Sequence, residues 1–495
     1  MYPSLAEARA IAASGPYRRI PVSMELFSDG FTPIEVLRTI RAESSHCFLL
    51  ESAEDAKQWG RYTFLGYGPT LELTCSGGML RLKYDPESGN PRTEERAVDH
   101  PGDALREIIR YYQSPIIPGL PPFTGGLVGY FSFEYLQYAE PSLRATAPTG
   151  GDFLDAALML FDRLVVFDNY RQRLILIVGA DTGDLDRGYA EAEKALRDMA
   201  VLLRSGKKHV FPSLHLASPL ELCFSEQRFT DMVNTAKHYI HEGDIFQVVL
   251  SNPMEASVEG SLLDVYRVLR TTNPSPYMFY FNSDDIEVAG ASPETLVKLV
   301  DGTLHTFPLA GTRPRGATAE EDKALARELL NDRKELAEHN MLVDLGRNDL
   351  GKISRLGTVQ VEKYLSIERF SHVMHIGSTV SGTIREDRDA VDAIDAILPA
   401  GTLSGAPKLR ACEIIQELEG RPRGVYGGAV GYLDLTGNLD VCISIRLAYK
   451  KNGRICVQSG AGIVADSIPE NEYLECRNKA MAVISAIETA EGGIL

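Results

Sequence analysis

Apolar positions recur along this chain in two rhythms. Leu325, Leu329, Leu336, Leu342 and Leu345 fall at three- and four-residue steps or their sums, the spacing of one helix face. Residues 319–351 are therefore read as helical, with Thr318 as cap and Glu320, Glu321 and Asp322 at the positive end of the dipole. The same spacing predicts helices after Phe31, at 102–112, 183–205, 226–241, 262–271, 388–398 and 407–419, and after Pro469. Alternation predicts strands at Cys47–Glu51, across RYTFLG (61–66), and in hairpins around Ser76-Gly77-Gly78 and within 295–307. Residues 424–464 read as a three-stranded meander, in which Val441, Ile443, Ile445 and Leu447 alternate with Asp440, Cys442, Ser444 and Arg446.

Strands arrive mostly as antiparallel hairpins and do not alternate strictly with helices, so the expected class is α+β. Residues 206–221, SGKKHVFPSLHLASPL, lack periodicity and read as a linker between an N-terminal region (1–205) and a C-terminal one (222–495).

Charge narrows the partners. With 51 basic against 68 acidic residues in 495, the net charge of −17 argues against nucleic acid or an anionic membrane as the main partner. Seven scattered cysteines with no C-x-x-C suit a reducing compartment, and each reads as a small buried hydrophobe. No apolar run approaches ~18 residues and no signal pattern opens the chain, so a cytoplasmic location is expected.

Candidate chemistry begins with Glu335 and Glu338, three apart and on one helix face. Alone the pair is read as a solvated acidic face. Glu472 and Glu475 repeat the pattern far downstream, and two helices each offering such a pair can hold a hard cation such as Mg²⁺. Arg446 is either a surface arginine or a carboxylate clamp beside the GAG turn, where Gly460 and Gly462 permit close backbone approach. His375 is either a satisfied core histidine or a functional one, and Gln247 is half-exposed or faces a site. Lys479, four residues after Glu475, reads as its i, i+4 ion-pair partner. G-x-S-x-G, Walker A, Rossmann and H-E-x-x-H motifs are absent.

The segments PLAGTRPRG (308–316), ELAEHNMLVDLGRNDLG (335–351), HVMHIGSTVSG (372–382), PAGTLSGAPK (399–408), YGGAVGYLD (426–434), CISIR (442–446), QSGAGIVADS (458–467) and ECRNKA (475–480) fall in the order seen in chorismate-utilising enzymes. The chain resembles that family over nearly all of 225–485, and within it most resembles the large subunits of anthranilate synthases, with LLES (49–52), RYTFLG and GGLVGYFSFE (125–134) extending the likeness N-terminally.

The resemblance implies a large, mostly antiparallel sheet sandwich flanked by helices, its two halves interwoven, and a lyase that makes anthranilate and pyruvate from chorismate and ammonia. Glu338 and Glu475 match Mg²⁺ ligands, with Glu335 and Glu472 beside them. Tyr426, Arg446 and the backbone at Gly460 and Gly462 match the clamp on the enolpyruvyl carboxylate, and Gly311, Thr312, Thr402 and Lys479 match further substrate contacts. Glu294 matches the general acid that protonates the departing ring hydroxyl, and His375 the histidine that supports pyruvate loss. Gln247 and Ala310 stand where relatives that add water or form aminodeoxychorismate carry lysines, and a neutral pair there suits ammonia as nucleophile.

No cysteine sits in a glutaminase-like Gly-x-Cys-x-Gly, so ammonia is expected from a separate glutamine amidotransferase subunit in a heterodimer or heterotetramer. Leu50, Glu51, Ser52, Pro276, Tyr277 and Met278 match a tryptophan feedback site, with Cys442 on the route from it to the active site. The alternatives are an aminodeoxychorismate synthase lacking its usual lysine, and a non-enzymatic cation-binding scaffold.

Overall fold

The computed structural model describes residues 1–53, 59–145, 153–369 and 373–494; Ser371 and His372 of the histidine motif lie outside them. Two sheets, of thirteen and twelve strands, form its centre, and twelve α-helices among the described residues flank them. The ladders are antiparallel, as hairpin-rich patterning predicts. Strands from both sides of residues 206–221 share both sheets. Cys47–Glu51 lies between Tyr62–Tyr67 and Tyr277–Asn282 in the larger sheet. In the smaller, Gly126–Phe131 pairs with Ala429–Asp434. Within 206–221 itself, His215–Leu216 pairs with the far end of the long strand Gln247–Glu259. A two-residue strand has no alternation from which to read it.

Aromatic residues fill the space between the sheets. Phe48 and Phe64 from the larger sheet meet Phe161, Tyr130 and Phe123, and the Phe48 and Phe161 rings lie edge to face with centroids 4.8 Å apart. Such a pair contributes ~0.5–1.5 kcal/mol beyond its buried area. It also explains Gly66, where a Cβ would come within 2.2 Å of the Phe48 ring.

Several sequence readings need correction. Residues 319–351 form two helices, Ala319–Leu329 and Arg333–Gly351. Asp332 breaks the run because its carboxylate caps the second helix, accepting the N–H of Lys334 at 3.0 Å and of Glu335 at 3.3 Å. The segment 424–464 is not one meander. Ala429–Asp434 and Leu439–Ile443 belong to the smaller sheet, while Leu447–Lys451 and Arg454–Ile463 belong to the larger. Arg446 therefore lies in a crossing between sheets, with φ of 54°, and not on the outward face of a strand. Cys223 is exposed, unlike the other six cysteines.

One buried ion pair ties three of these pieces together. Arg423 and Glu419 bond at 2.5 Å with side chains 1% exposed. Arg423 also donates to Leu403 O and Val249 O, each at 2.7 Å, and Glu419 accepts from Ser251 N at 2.8 Å. Helix Lys408–Glu419, strand Gln247–Glu259 and the turn Gly401–Leu403 are thereby pinned. Removing one partner leaves the other charge buried, which costs ~3–5 kcal/mol. Arg423→Met should lower stability by that amount, seen as a reduced urea midpoint; a midpoint close to wild type would show that Glu419 is not confined by this pair.

Candidate active site

Two of the chain's crossings between the sheets run side by side. The first crossing leaves Glu287–Ser292 in the larger sheet and enters Thr295–Val300 in the smaller, carrying Glu294. The second runs back from Leu439–Ile443 to Leu447–Lys451, carrying Arg446. Backbone bonds lace them: Ala291 N donates to Arg446 O at 3.1 Å and Ile443 N to Glu294 O at 2.9 Å. Ser292 Oγ adds a bond to Ile443 O at 2.7 Å. An acid and a base are thus delivered to one cleft by two neighbouring strands of backbone.

Burial pushes the Glu294 carboxyl up to about 7, although the Thr402 hydroxyl, donating to Oε1 at 3.1 Å, and the Lys479 charge both pull the other way. Glu294 therefore holds its proton to near neutrality. Arg446 is half-buried, and among the described residues no carboxylate pairs with its guanidinium. Its neighbours are Tyr426, whose hydroxyl burial keeps protonated, and His375.

His375 is held by Gly311. Its Nδ1 lies 2.9 Å from Gly311 O, and because a carbonyl only accepts, Nδ1 carries the hydrogen and Nε2 is the acceptor. Burial lowers its proton affinity, so the ring stays neutral. Thr312 Oγ1 is 3.2 Å from the same nitrogen. Gly311 is required here. It has φ of 66° and interrupts the register between Ala310 and Thr312, and a Cβ would lie 3.0 Å from Glu335 Oε2. Ala310 is buried beside it.

On the opposite wall, Gly460 and Gly462 lie in strand Arg454–Ile463. A Cβ at Gly460 would lie 3.0 Å from the Tyr426 hydroxyl, and one at Gly462 2.8 Å from Gln247 Nε2, so both glycines and Gln247 border the same space. Lys479 donates to Gly460 O at 3.2 Å and pairs with Glu475 at 2.7 Å.

The two glutamate pairs face each other. Glu338 and Glu475 are open to solvent, Glu335 and Glu472 less so. The surrounding protein raises Glu338, and the negative charges of Glu335 and Glu475 raise it further. Glu472 is raised by burial and by Glu475. Among the described residues no three His, Cys, Asp or Glu side chains converge closely enough to hold a metal unaided. The donor set nonetheless fits Mg²⁺, which takes one or two carboxylates and completes its shell with water and substrate oxygens. Mutual repulsion of these carboxylates is relieved by a cation between them.

The six residues matched to an effector site line a separate cavity of about 670 Å³ between the sheets: Leu50, Glu51, Ser52, Pro276, Tyr277 and Met278. Cys442 lines it from the other side. Glu51 turns its carboxylate outward to Tyr266 and Arg270, each at 2.6 Å. Sequence reasoning missed the polar wall of this cavity, where Tyr277 donates to Asp440 at 2.8 Å and Lys298 pairs with Asp440 at 2.8 Å. It also missed Arg423, whose residue type predicts exposure.

These elements define a chorismate-binding enzyme: the model of the chorismate binding enzyme family matches residues 46–485. Anthranilate synthase component 1 of Acetivibrio thermocellus is 43% identical over 504 aligned residues, covering 99% of each chain. That of Pseudomonas aeruginosa is 43% identical over 98% of each. The crystal structure of anthranilate synthase component I from Streptococcus pneumoniae superposes with a TM-score of 0.73 at 40% identity, covering 86% of this chain and 92% of that one. The menaquinone-specific isochorismate synthase of Escherichia coli, at 19% identity and TM-score 0.69, covers 98% of this chain and all of its own, and shares the fold. The chain belongs to the chorismate-binding enzymes and, within them, to the anthranilate synthase component 1 family. The α+β class read from the sequence agrees with these structures.

The titration of Glu294 is directly measurable. An infrared difference titration of wild type against Glu294→Gln should show a carboxyl band disappearing near pH 7. Thr402→Val removes a bond that favours the carboxylate, so the band should persist to higher pH; an unshifted band would show that the hydroxyl does not hold Glu294.

Proposed function

We propose that this chain converts chorismate and ammonia to anthranilate, pyruvate and water, acting in the cytosol with a separate glutamine amidotransferase subunit as its ammonia source. The observation that carries the reading is the pairing, in one cleft, of a guanidinium without a carboxylate and a carboxyl protonated near neutrality. A half-buried arginine with no carboxylate partner among the described residues is a binding site for an anion of substrate, and a bidentate carboxylate satisfies it best. The free state of all seven cysteines suits a reducing compartment. No helix among the described residues is long and apolar enough to cross a membrane.

Arg446 and the amides around Gly462 hold the enolpyruvyl carboxylate, with the Tyr426 hydroxyl beside them. Glu338 and Glu475 would hold Mg²⁺, which when bound neutralises the ring carboxylate. Glu294 passes its proton to the ring hydroxyl as the C–O bond breaks, and the oxygen leaves as water with the bonding pair. Ammonia adds to the ring as a neutral nucleophile and needs no base, in keeping with Gln247 and Ala310 at the positions bordering its approach. His375 Nε2 then accepts the ring proton as the ring C–O bond breaks, and the side chain leaves as an enolate that takes a proton on its methylene carbon to become pyruvate. Lys479 stands between Glu475 and Gly460, where its charge favours an anionic substrate.

Tryptophan in the 670 Å³ cavity would restrain the enzyme. Its aromatic lining, with Tyr62, Phe64 and Tyr432, suits an indole.

Incubation of the purified chain with chorismate, Mg²⁺ and ammonium should generate anthranilate fluorescence; accumulation of aminodeoxychorismate in its place would overturn the reading. Glu338→Gln or Glu475→Gln should lower turnover by about 100-fold or more, because a hard cation loses an anionic oxygen. Near-normal rates at saturating Mg²⁺ would remove those residues as ligands. Ser52→Phe overfills the cavity, and overpacking of ~1–3 kcal/mol corresponds to about 5- to 150-fold in the tryptophan concentration for half-inhibition. Inhibition that stays at wild-type strength in this variant would place the effector elsewhere.

A further inference from the structure

His339 is the residue after Glu338, and it faces inward. It is fully buried in the contact between helix Arg333–Gly351 and strand Val373–Thr383, where Leu342 and Val343, one turn along on the same face, are apolar. Its Nε2 lies 2.7 Å from Ser378 Oγ, and no other partner reaches its ring nitrogens among the described residues. A leucine at this position would fill the same space without a desolvated ring, so the polar side chain needs a reason.

Ser378 supplies one, because it is a junction. Its hydroxyl oxygen also accepts the N–H of Leu365 at 3.1 Å, and its own N–H donates to Pro308 O at 3.1 Å. Leu365 sits at φ of 53° inside a register break of strand Gln360–Arg369, between the paired residues Lys363 and Ser366. Pro308 opens the segment that presents Ala310, Gly311 and Thr312. Ser378 itself lies three residues beyond His375 on the same strand. One hydroxyl and one amide thus join the cation-side helix, the PLAGT segment, the bulged strand and the histidine strand. Apolar contacts let a helix slide or turn against a sheet by fractions of an ångström, whereas a buried hydrogen bond fixes one rotation.

We infer that His339 and Ser378 are a positioning pair for the reaction. Through the junction at Ser378 they set the rotation of helix Arg333–Gly351, and so the placement of Glu338 relative to His375 and Gly311. The inference rests on the assignment of Glu338 and His375 above. Neither residue of the pair touches substrate. Their action resembles that of groups behind metal ligands, whose loss costs about 10–100-fold in affinity.

Three variants test the pair: His339→Leu, Ser378→Ala and His339→Gln, the last able to place an amide nitrogen near Ser378 Oγ. In the metal-free chain, amide exchange at Leu365 should accelerate about tenfold or more in Ser378→Ala, because the N–H loses its acceptor. Titration with Mn²⁺ followed by electron paramagnetic resonance should show half-saturation raised about tenfold in His339→Leu and in Ser378→Ala, with His339→Gln close to wild type. The chorismate KM should rise in step while the thermal midpoint of Ser378→Ala falls little. Mn²⁺ affinity, KM and Leu365 exchange all within twofold of wild type in Ser378→Ala would overturn the inference. So would His339→Gln behaving as His339→Leu. A wild-type chain that turns over chorismate without binding Mn²⁺ would refute the cation reading alone, leaving KM and Leu365 exchange to judge the pair.

Discussion

Two sheets cannot share a chain without the chain crossing between them, and here two crossings are bonded edge to edge. Residues 290–295 and 442–447 keep antiparallel pairing almost without interruption, from Gly290 with Leu447 in one sheet to Thr295 with Cys442 in the other. The geometry of the site follows from that lacing. A crossing segment has no neighbours on a regular sheet face, so its side chains project into the space between layers. Glu294 comes from one crossing and Arg446 from the other, and Arg446 adopts a left-handed backbone that a β-ladder would not accommodate. The buried Arg423–Glu419 pair, bonded to Val249 O and Leu403 O, holds the adjoining strand and turn against this junction.

Charge in the cleft is arranged against its own ease. No carboxylate among the described residues pairs with Arg446, desolvation keeps the Glu294 carboxyl protonated to near neutrality, and the negative charges of Glu335 and Glu475 raise Glu338 by repulsion. A chain with net charge −17 can still bind an anionic substrate, because a few groups such as Arg446 and Lys479 reverse the field locally.

How far the sequence revealed this depends on the range of the interaction. Helices whose stripes are local, such as Gly102–Tyr111 and Glu226–Glu242, were legible to within a residue or two. So were the two glutamate pairs, because three-residue spacing on a helix fixes a face. Asp332 was hidden because a run of leucines continued through it, and only the competing cap ends the first helix. The crossings were hidden as well. Alternation at 440–447 persists through the crossing, since residues on either side of it are apolar for the cores of different sheets. Arg446 was read as an outward strand position, but that strand geometry does not exist; it stands in the crossing between sheets. Arg423 carries no local mark at all, because its burial depends on Glu419, Val249 and Leu403 meeting in space.

The wall between the two cavities is one residue thick. Cys442 faces the 670 Å³ cavity, and Ile443, the next residue, faces a pocket of about 50 Å³ that Glu294 and Thr402 also line. Tyr277, on the cavity side, shares a 2.9 Å hydrogen bond with Thr295, the residue after Glu294. No packing layer lies between to absorb a displacement, and close-packed interiors transmit one. Two ligands that press on a common partition are bound by reciprocity: a molecule on one side that alters affinity on the other by some factor has its own affinity altered by the same factor. A substrate seated against Glu294 would, on those terms, change the hold on any occupant of the larger chamber by the same factor that the occupant changes its own.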